Sequence, residues 1–132
     1  MSQEDVEIVR RSLDAFNREG IEGSLPYLDP QIEWLGPPEW LEQNLYEGHA
    51  GMRSLASFWR DNFDDFRLEI EQLIDLGDEV LALLYQRGTI KGSATPIEQP
   101  IGYQGRVDAG KIVRVQVYFS WEAALETLGL SE

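Results

Sequence analysis

The hydrophobic period of this chain changes near residue 63, and that change constrains the fold more than any other feature. Before it, apolar residues recur every three or four positions; after it, they alternate. Helices therefore come first, followed by a meander of long antiparallel strands, which is an α+β order. In the first helix Val6, Val9, Leu13 and Phe16 form a single apolar stripe. Ser2 can cap it, with Asp5 three residues on, and Asn17 and Gly20 end it. A second helical segment is expected over 22–28, with Pro26 in its first turn or so, and Asp29-Pro30 breaks it. A strand over 31–36 follows, with Ile32 and Trp34 on one face and Glu33 and Leu35 on the other.

Gly48-His49-Ala50-Gly51 opens the third helix, whose inner stripe is Met52, Leu55, Ala56, Trp59 and Phe63. Strands are expected over 66–76, 79–91, 97–107 and 111–119. Gly77-Asp78 and Asp108-Ala109-Gly110 supply hairpin turns between them. Ser120 caps a final helix carrying Trp121, Ala124, Leu125 and Leu128, closed by Gly129. A strongly curved, mostly antiparallel sheet wrapped around the N-terminal helices leaves a conical hollow suited to a ligand. The segment 39–47 has no period and carries Trp40, Leu41, Leu45 and Tyr46, so it reads as a lid over that hollow.

At 132 residues, with no internal repeat, the chain fits one domain. Its formal net charge of −13 repels a phosphate backbone and an anionic membrane surface, so neither is an expected partner. The absence of cysteine excludes disulfides, zinc-thiolate sites and cysteine nucleophiles. One histidine cannot make a histidine cluster for a transition metal. The start, Met1-Ser2-Gln3-Glu4-Asp5, lacks the pattern of a signal peptide, and no apolar run reaches membrane-spanning length, which makes the cytoplasm the expected location.

Four segments carry a resemblance. They are Val9-Arg10-Arg11 to Ala15-Phe16-Asn17, Leu28-Asp29-Pro30-Gln31-Ile32-Glu33-Trp34, Tyr46-Glu47-Gly48-His49-Ala50-Gly51-Met52, and Asp108-Ala109-Gly110-Lys111-Ile112-Val113. In order and spacing the chain resembles a SnoaL-like member of the nuclear transport factor 2-like superfamily over nearly its whole length. The resemblance implies the cone-shaped fold, a small-molecule pocket, and a homodimer with Ile112 and Tyr118 as outer-face contacts. It does not fix the function, because that superfamily holds isomerases, cyclases, epoxide hydrolases, dehydratases and transport proteins.

The catalytic sets of those relatives do not carry over. The tyrosine and two aspartates of the ketosteroid isomerases fall at Ser12, Trp34 and Gly102, none of which supplies a base or an oxyanion donor of that kind. The second aspartate of limonene epoxide hydrolase falls at Val117, and the strand with Gln86-Arg87-Gly88 carries none of the required acids. The acid of the SnoaL-type cyclases has no counterpart in the expected inward series Val113, Val115, Val117 and Phe119.

The remaining candidates each have a structural alternative. His49 is either a general base at the pocket mouth or a structural side chain at a helix start. Gln86 and Arg87 are neighbours on one strand, so one of them faces inward; an outward Arg87 would pair with carboxylates across the sheet. Gln99 and Gln104 can supply neutral hydrogen bonds. Trp34, Trp59, Tyr85, Tyr103, Tyr118 and Trp121 divide between core and ligand platform, with Trp34 at a family pocket position and Trp40 and Tyr46 covering it. Asp61, Asp64 and Asp65 match no calcium loop and read as a solvated helix end. Glu39 and Glu42 are the carboxylates left for acid–base work.

The resulting expectation is one domain that binds an apolar or aromatic small molecule through Trp34, Trp59, Gln86, Arg87, Val117, Tyr46 and His49, with no metal and no cofactor. The alternatives are a cofactor-independent isomerase, cyclase or hydrolase, and a protein-association module whose pocket has filled in.

Overall fold

The computed structural model describes residues 2–37 and 45–130. Its elements run α1 (Ser2–Glu19), α2 (Ile21–Ser24), a 3₁₀ turn (Leu25–Tyr27), β1 (Leu28–Leu35), β2 (Leu45–Glu47), α3 (Gly48–Asn62), β3 (Phe63–Asp75), β4 (Glu79–Ile90), β5 (Pro96–Asp108), β6 (Lys111–Tyr118) and α4 (Trp121–Thr127). Among the described residues the strands form one open, mixed sheet in the order β2-β1-β6-β5-β4-β3, in which only the β1–β6 pair is parallel.

The helical stripes bury as the period requires. Val9, Leu13, Met52 and Leu55 enter a core with Ile32, Leu84 and Val115 on the inner face of the sheet. Gly20 ends α1 at φ 76°, a left-handed conformation that glycine adopts without a Cβ penalty. Asn17 does more than terminate the helix. Its amide donates to Leu68 O (2.7 Å) and accepts from Leu68 N–H (2.9 Å), so it completes the hydrogen bonding of edge strand β3.

Several boundaries differ from the sequence reading. The segment 22–28 is not one helix: α2 ends at Ser24, and Pro26 sits in the 3₁₀ turn. Asp29-Pro30 does not precede β1 but lies inside it, where the register shifts between Leu28 and Glu33 and Pro30 escapes the ladder. Strand β3 starts at Phe63, and a bulge centred on Asp65 (φ 54°) faces Gly88. A side chain at Gly88 would meet the Asp64 carbonyl at 3.0 Å, so the bulge and the glycine fit each other.

A second bulge corrects the face assignment of β6. The pairing passes from Arg106↔Arg114 to Val107↔Ile112, which leaves Val113 as the extra residue. Ile112, expected on the outer face, is therefore fully buried inside the core, and Val113 leaves the inward series.

Strand β4 is buried on both faces. Val80, Ala82 and Leu84 face the helices, while Leu81 and Leu83 pack under Ala124 of α4. This explains the nearly continuous apolar run of the strand. Ser120 caps α4 by accepting from Ala123 N–H (2.9 Å). Gly102 also belongs to the outer face, where a Cβ would stand 2.7 Å from Ala124 Cβ. It consequently does not line the hollow, and the inward residues beside it are Ile101 and Tyr103.

Candidate functional site

The alternation of the central strands converges on one hollow. Leu84 pairs with Ile101, Gln86 with Gln99 and Tyr103 with Val117, so each pair shares a face. Together with Trp34 of β1, Leu68 of β3 and Trp59 of α3, these strands border a cavity of about 160 Å³ through Leu84, Gln86, Ile101, Tyr103 and Val117. Phe58, Phe63 and Phe119 complete the lining, and Phe58 is 57% exposed, which marks the mouth.

A second space of about 30 Å³ adjoins it, bounded by Ser12, Leu13 and Met52 among others. Trp34, Trp59, Leu68 and Tyr103 border both spaces. Trp34 meets Trp59 and Tyr103 edge to face, at 6.1 and 5.7 Å between ring centroids. Trp59 in turn stacks on Phe66 at 4.6 Å.

Of the seven residues expected to bind a ligand, four line the main cavity: Trp34, Trp59, Gln86 and Val117. The other three do not. Arg87 faces the opposite side of the sheet, where Nε donates to Glu69 (2.6 Å), Nη1 donates to Glu98, and the guanidinium lies 4.6 Å from the Tyr85 ring centre. Arg67, and Arg87 after it, hold the Glu69 carboxyl below the usual carboxylate range. Pairing outward satisfies Arg87 at low desolvation cost, whereas an inward Arg87 would bury its charge among aromatic rings.

His49 sits at the start of α3, where Nε2 lies 2.9 Å from the Leu28 carbonyl. A carbonyl only accepts, so Nε2 carries the proton and the ring ties α3 to β1. Tyr46 packs against Gly51 and the core. Gln104 is likewise outside, accepting from Tyr118 OH (2.7 Å) and donating to Glu79. Gln99 donates to the Phe119 and Pro100 carbonyls. Trp40, Leu41, Glu39 and Glu42 of the expected lid lie outside the described residues.

The chemistry of the lining is neutral. Among the described residues, the main cavity is bordered by no charged side chain, and no cluster of carboxylates and histidines could hold a metal. Gln86 and Tyr103 supply the polar side chains, with the Trp34 and Trp59 indole N–H groups. Burial pushes the Tyr103 phenol well above its ordinary range.

That shift has a sign in stability. The unfolded chain loses the Tyr103 proton near pH 10 while the folded chain keeps it, so stability falls as pH rises above about 10. One such group steepens the fall by about 1.4 kcal/mol per pH unit. Urea titrations between about pH 9 and 11, spanning the ordinary phenol range, should therefore show a shallower alkaline loss for Tyr103→Phe than for the native chain. An equal slope would mean that Tyr103 ionises normally. Tyr118, raised by burial and then by the Glu79 charge, acts in the same direction in both proteins.

Sequence reasoning named Trp34, Trp59, Gln86 and Val117 and left Tyr103 undivided between core and platform. The signal that decides it is register, since Tyr103 lies opposite the inward Val117.

The fold is shared with solved structures of low identity. A protein of ketosteroid isomerase-like fold from Catenulispora acidiphila, solved with trimethylamine, is 19% identical, with 95% and 94% of the two chains covered and a TM-score of 0.75. TerC co-crystallised with polyporic acid is 22% identical over 96% and 98%, with a TM-score of 0.77. A putative SnoaL-like polyketide cyclase from Jannaschia is 14% identical over 99% and 95%, with a TM-score of 0.76. No functionally curated protein matches the chain at significant similarity. The SnoaL-like domain model matches residues 9–115, and the chain therefore belongs to the SnoaL-like domain family.

Proposed function

We propose that the protein binds one small, neutral, largely apolar or aromatic molecule in the cavity between Trp34, Leu84, Ile101 and Val117. The observation that carries this reading is a hollow of about 160 Å³ lined by aromatic and aliphatic side chains with no charge among the described residues. An apolar cavity of about 150 Å³ accommodates benzene, so a single ring matches the space. Two structural relatives were solved with small molecules, trimethylamine in one and polyporic acid in the other, which is consistent with a ligand-holding fold. No cofactor or metal enters the proposal.

A second reading is a cofactor-independent isomerase, cyclase or hydrolase, favoured by the likeness to a putative polyketide cyclase. It requires an acid or base reaching the ring, and the described lining offers only the Tyr103 phenol and the Gln86 amide. The cavity itself speaks against a protein-association module with a filled interior.

Toluene tests the binding reading. It should bind saturably at one site per chain and raise the melting temperature; at about 100 times its Kd the added stability is about 2.7 kcal/mol. A melting temperature that does not respond to toluene contradicts the proposal.

A further inference from the structure

We propose that the Gln86 carboxamide reads the polar edge of the ligand, which is a neutral single-ring molecule carrying an amide or lactam group, with a hydrogen-bond donor and an acceptor side by side. The inference rests on the binding reading above and names its ligand class.

Gln86 lines the main cavity from β4, half-buried, with Leu68 paired to it on one side and Gln99 on the other. It stands toward the mouth: along β4 it lies between Leu84 and Ile90, and Ile90 pairs with the lining Phe63. Gln99, its neighbour in register, commits its side-chain N–H groups to the Phe119 carbonyl (2.8 Å) and the Pro100 carbonyl (3.1 Å). Among the described residues neither Nε2 nor Oε1 of Gln86 has a hydrogen-bond partner, and no sealed side-chain nitrogen or oxygen there lacks one. Both atoms therefore meet open space, and the space Gln86 borders is the main cavity.

A carboxamide facing apolar walls gives up part of its hydration and gains nothing from the protein in return. A ligand with an acceptor alone engages the Gln86 N–H and leaves Oε1 unpaired; a ligand with a donor alone does the reverse. A primary amide or a lactam satisfies both atoms at once, whichever way the Gln86 amide is turned. A carboxylate offers acceptors only, and it would bring a charge to a lining with no counter-charge among the described residues. The selection is therefore for a neutral donor–acceptor pair, with the ring in the remaining apolar space.

Benzamide and acetophenone test this, because they differ only in an amino group where the ketone has a methyl. Their hydration in water differs too, so the quantity to read is the change in their Kd ratio between native protein and variant, in which the free ligands cancel. By titration calorimetry, Gln86→Met should weaken benzamide about tenfold relative to acetophenone, the value of one or two hydrogen bonds made where water is largely excluded. Gln86→Leu should show the same change, and both variants should still bind toluene, which reports an intact cavity. A Kd ratio that stays at its native value in a variant that binds toluene would overturn the role of Gln86 while leaving ring binding in place. So would a native protein that binds toluene and acetophenone but not benzamide. Failure of the native protein to bind all three would instead remove the binding reading, and this inference with it.

Discussion

Replacing Trp34 by alanine should destabilise the protein by about 3–5 kcal/mol, the cost of removing a large buried aromatic side chain from a packed site. The expectation follows from position. Trp34 is 7% exposed, packs edge to face on Trp59 and Tyr103, and borders both internal spaces. Its removal merges those spaces, and the rigid strands on either side cannot close the gap. In urea the transition midpoint should drop while the slope stays unchanged, as for a loss of stability without a change of denatured state. Toluene binding should weaken at the same time, because the ring loses one wall. A drop below about 1 kcal/mol would mean that the cavity collapses around the missing indole.

Gly102→Val is the second large effect, and it acts from the opposite face. A Cβ at this position would lie 2.7 Å from Ala124 Cβ and 3.3 Å from Tyr118 Cβ, so α4 must lift or β5 must bend. Overpacking of this kind costs about 1–3 kcal/mol. Trp121, whose indole N–H donates to the Leu84 carbonyl at 2.9 Å, should move with α4. Near-ultraviolet circular dichroism would report that movement. Because Gly102 faces away from the cavity, toluene affinity should change less than about twofold, the range for sites that do not couple. A larger change would show that α4 is coupled to the cavity through β5.

Much of the fold was legible because period and turn chemistry are local. The stripe Val9, Leu13, Phe16 and the hairpin signals at Gly77-Asp78 and Asp108-Ala109-Gly110 needed nothing beyond their neighbours to be read. Two kinds of information were not local. The bulge at Val113 inverts the faces of the residues before it, and only pairing with Val107 reveals that Ile112 points inward. The Gln86–Arg87 choice depends on Glu69 and Glu98, which lie 18 and 11 residues away and become neighbours only in the sheet. His49 shows the same limit. Its partner is a backbone carbonyl, Leu28 O, which sequence reading cannot single out from any other carbonyl.

The candidate site was legible in chemistry more than in membership. An apolar, aromatic lining was expected, with Arg87, His49 and Tyr46 reaching into it; Trp34, Trp59, Gln86 and Val117 line the cavity, and those three do not. Ser12 was considered only as a position lacking an isomerase tyrosine. Its burial at the wall of the small space is a property of packing that no spacing rule encodes.

The most direct measurement of the central claim is a crystal structure of the protein equilibrated with iodobenzene, with the iodine located by its anomalous scattering. The account predicts one strong peak inside the hollow, with the ring between Trp34, Leu84, Ile101 and Val117. A hollow closed by the Trp59 and Phe119 rings, with iodine only on the outer surface, would contradict it.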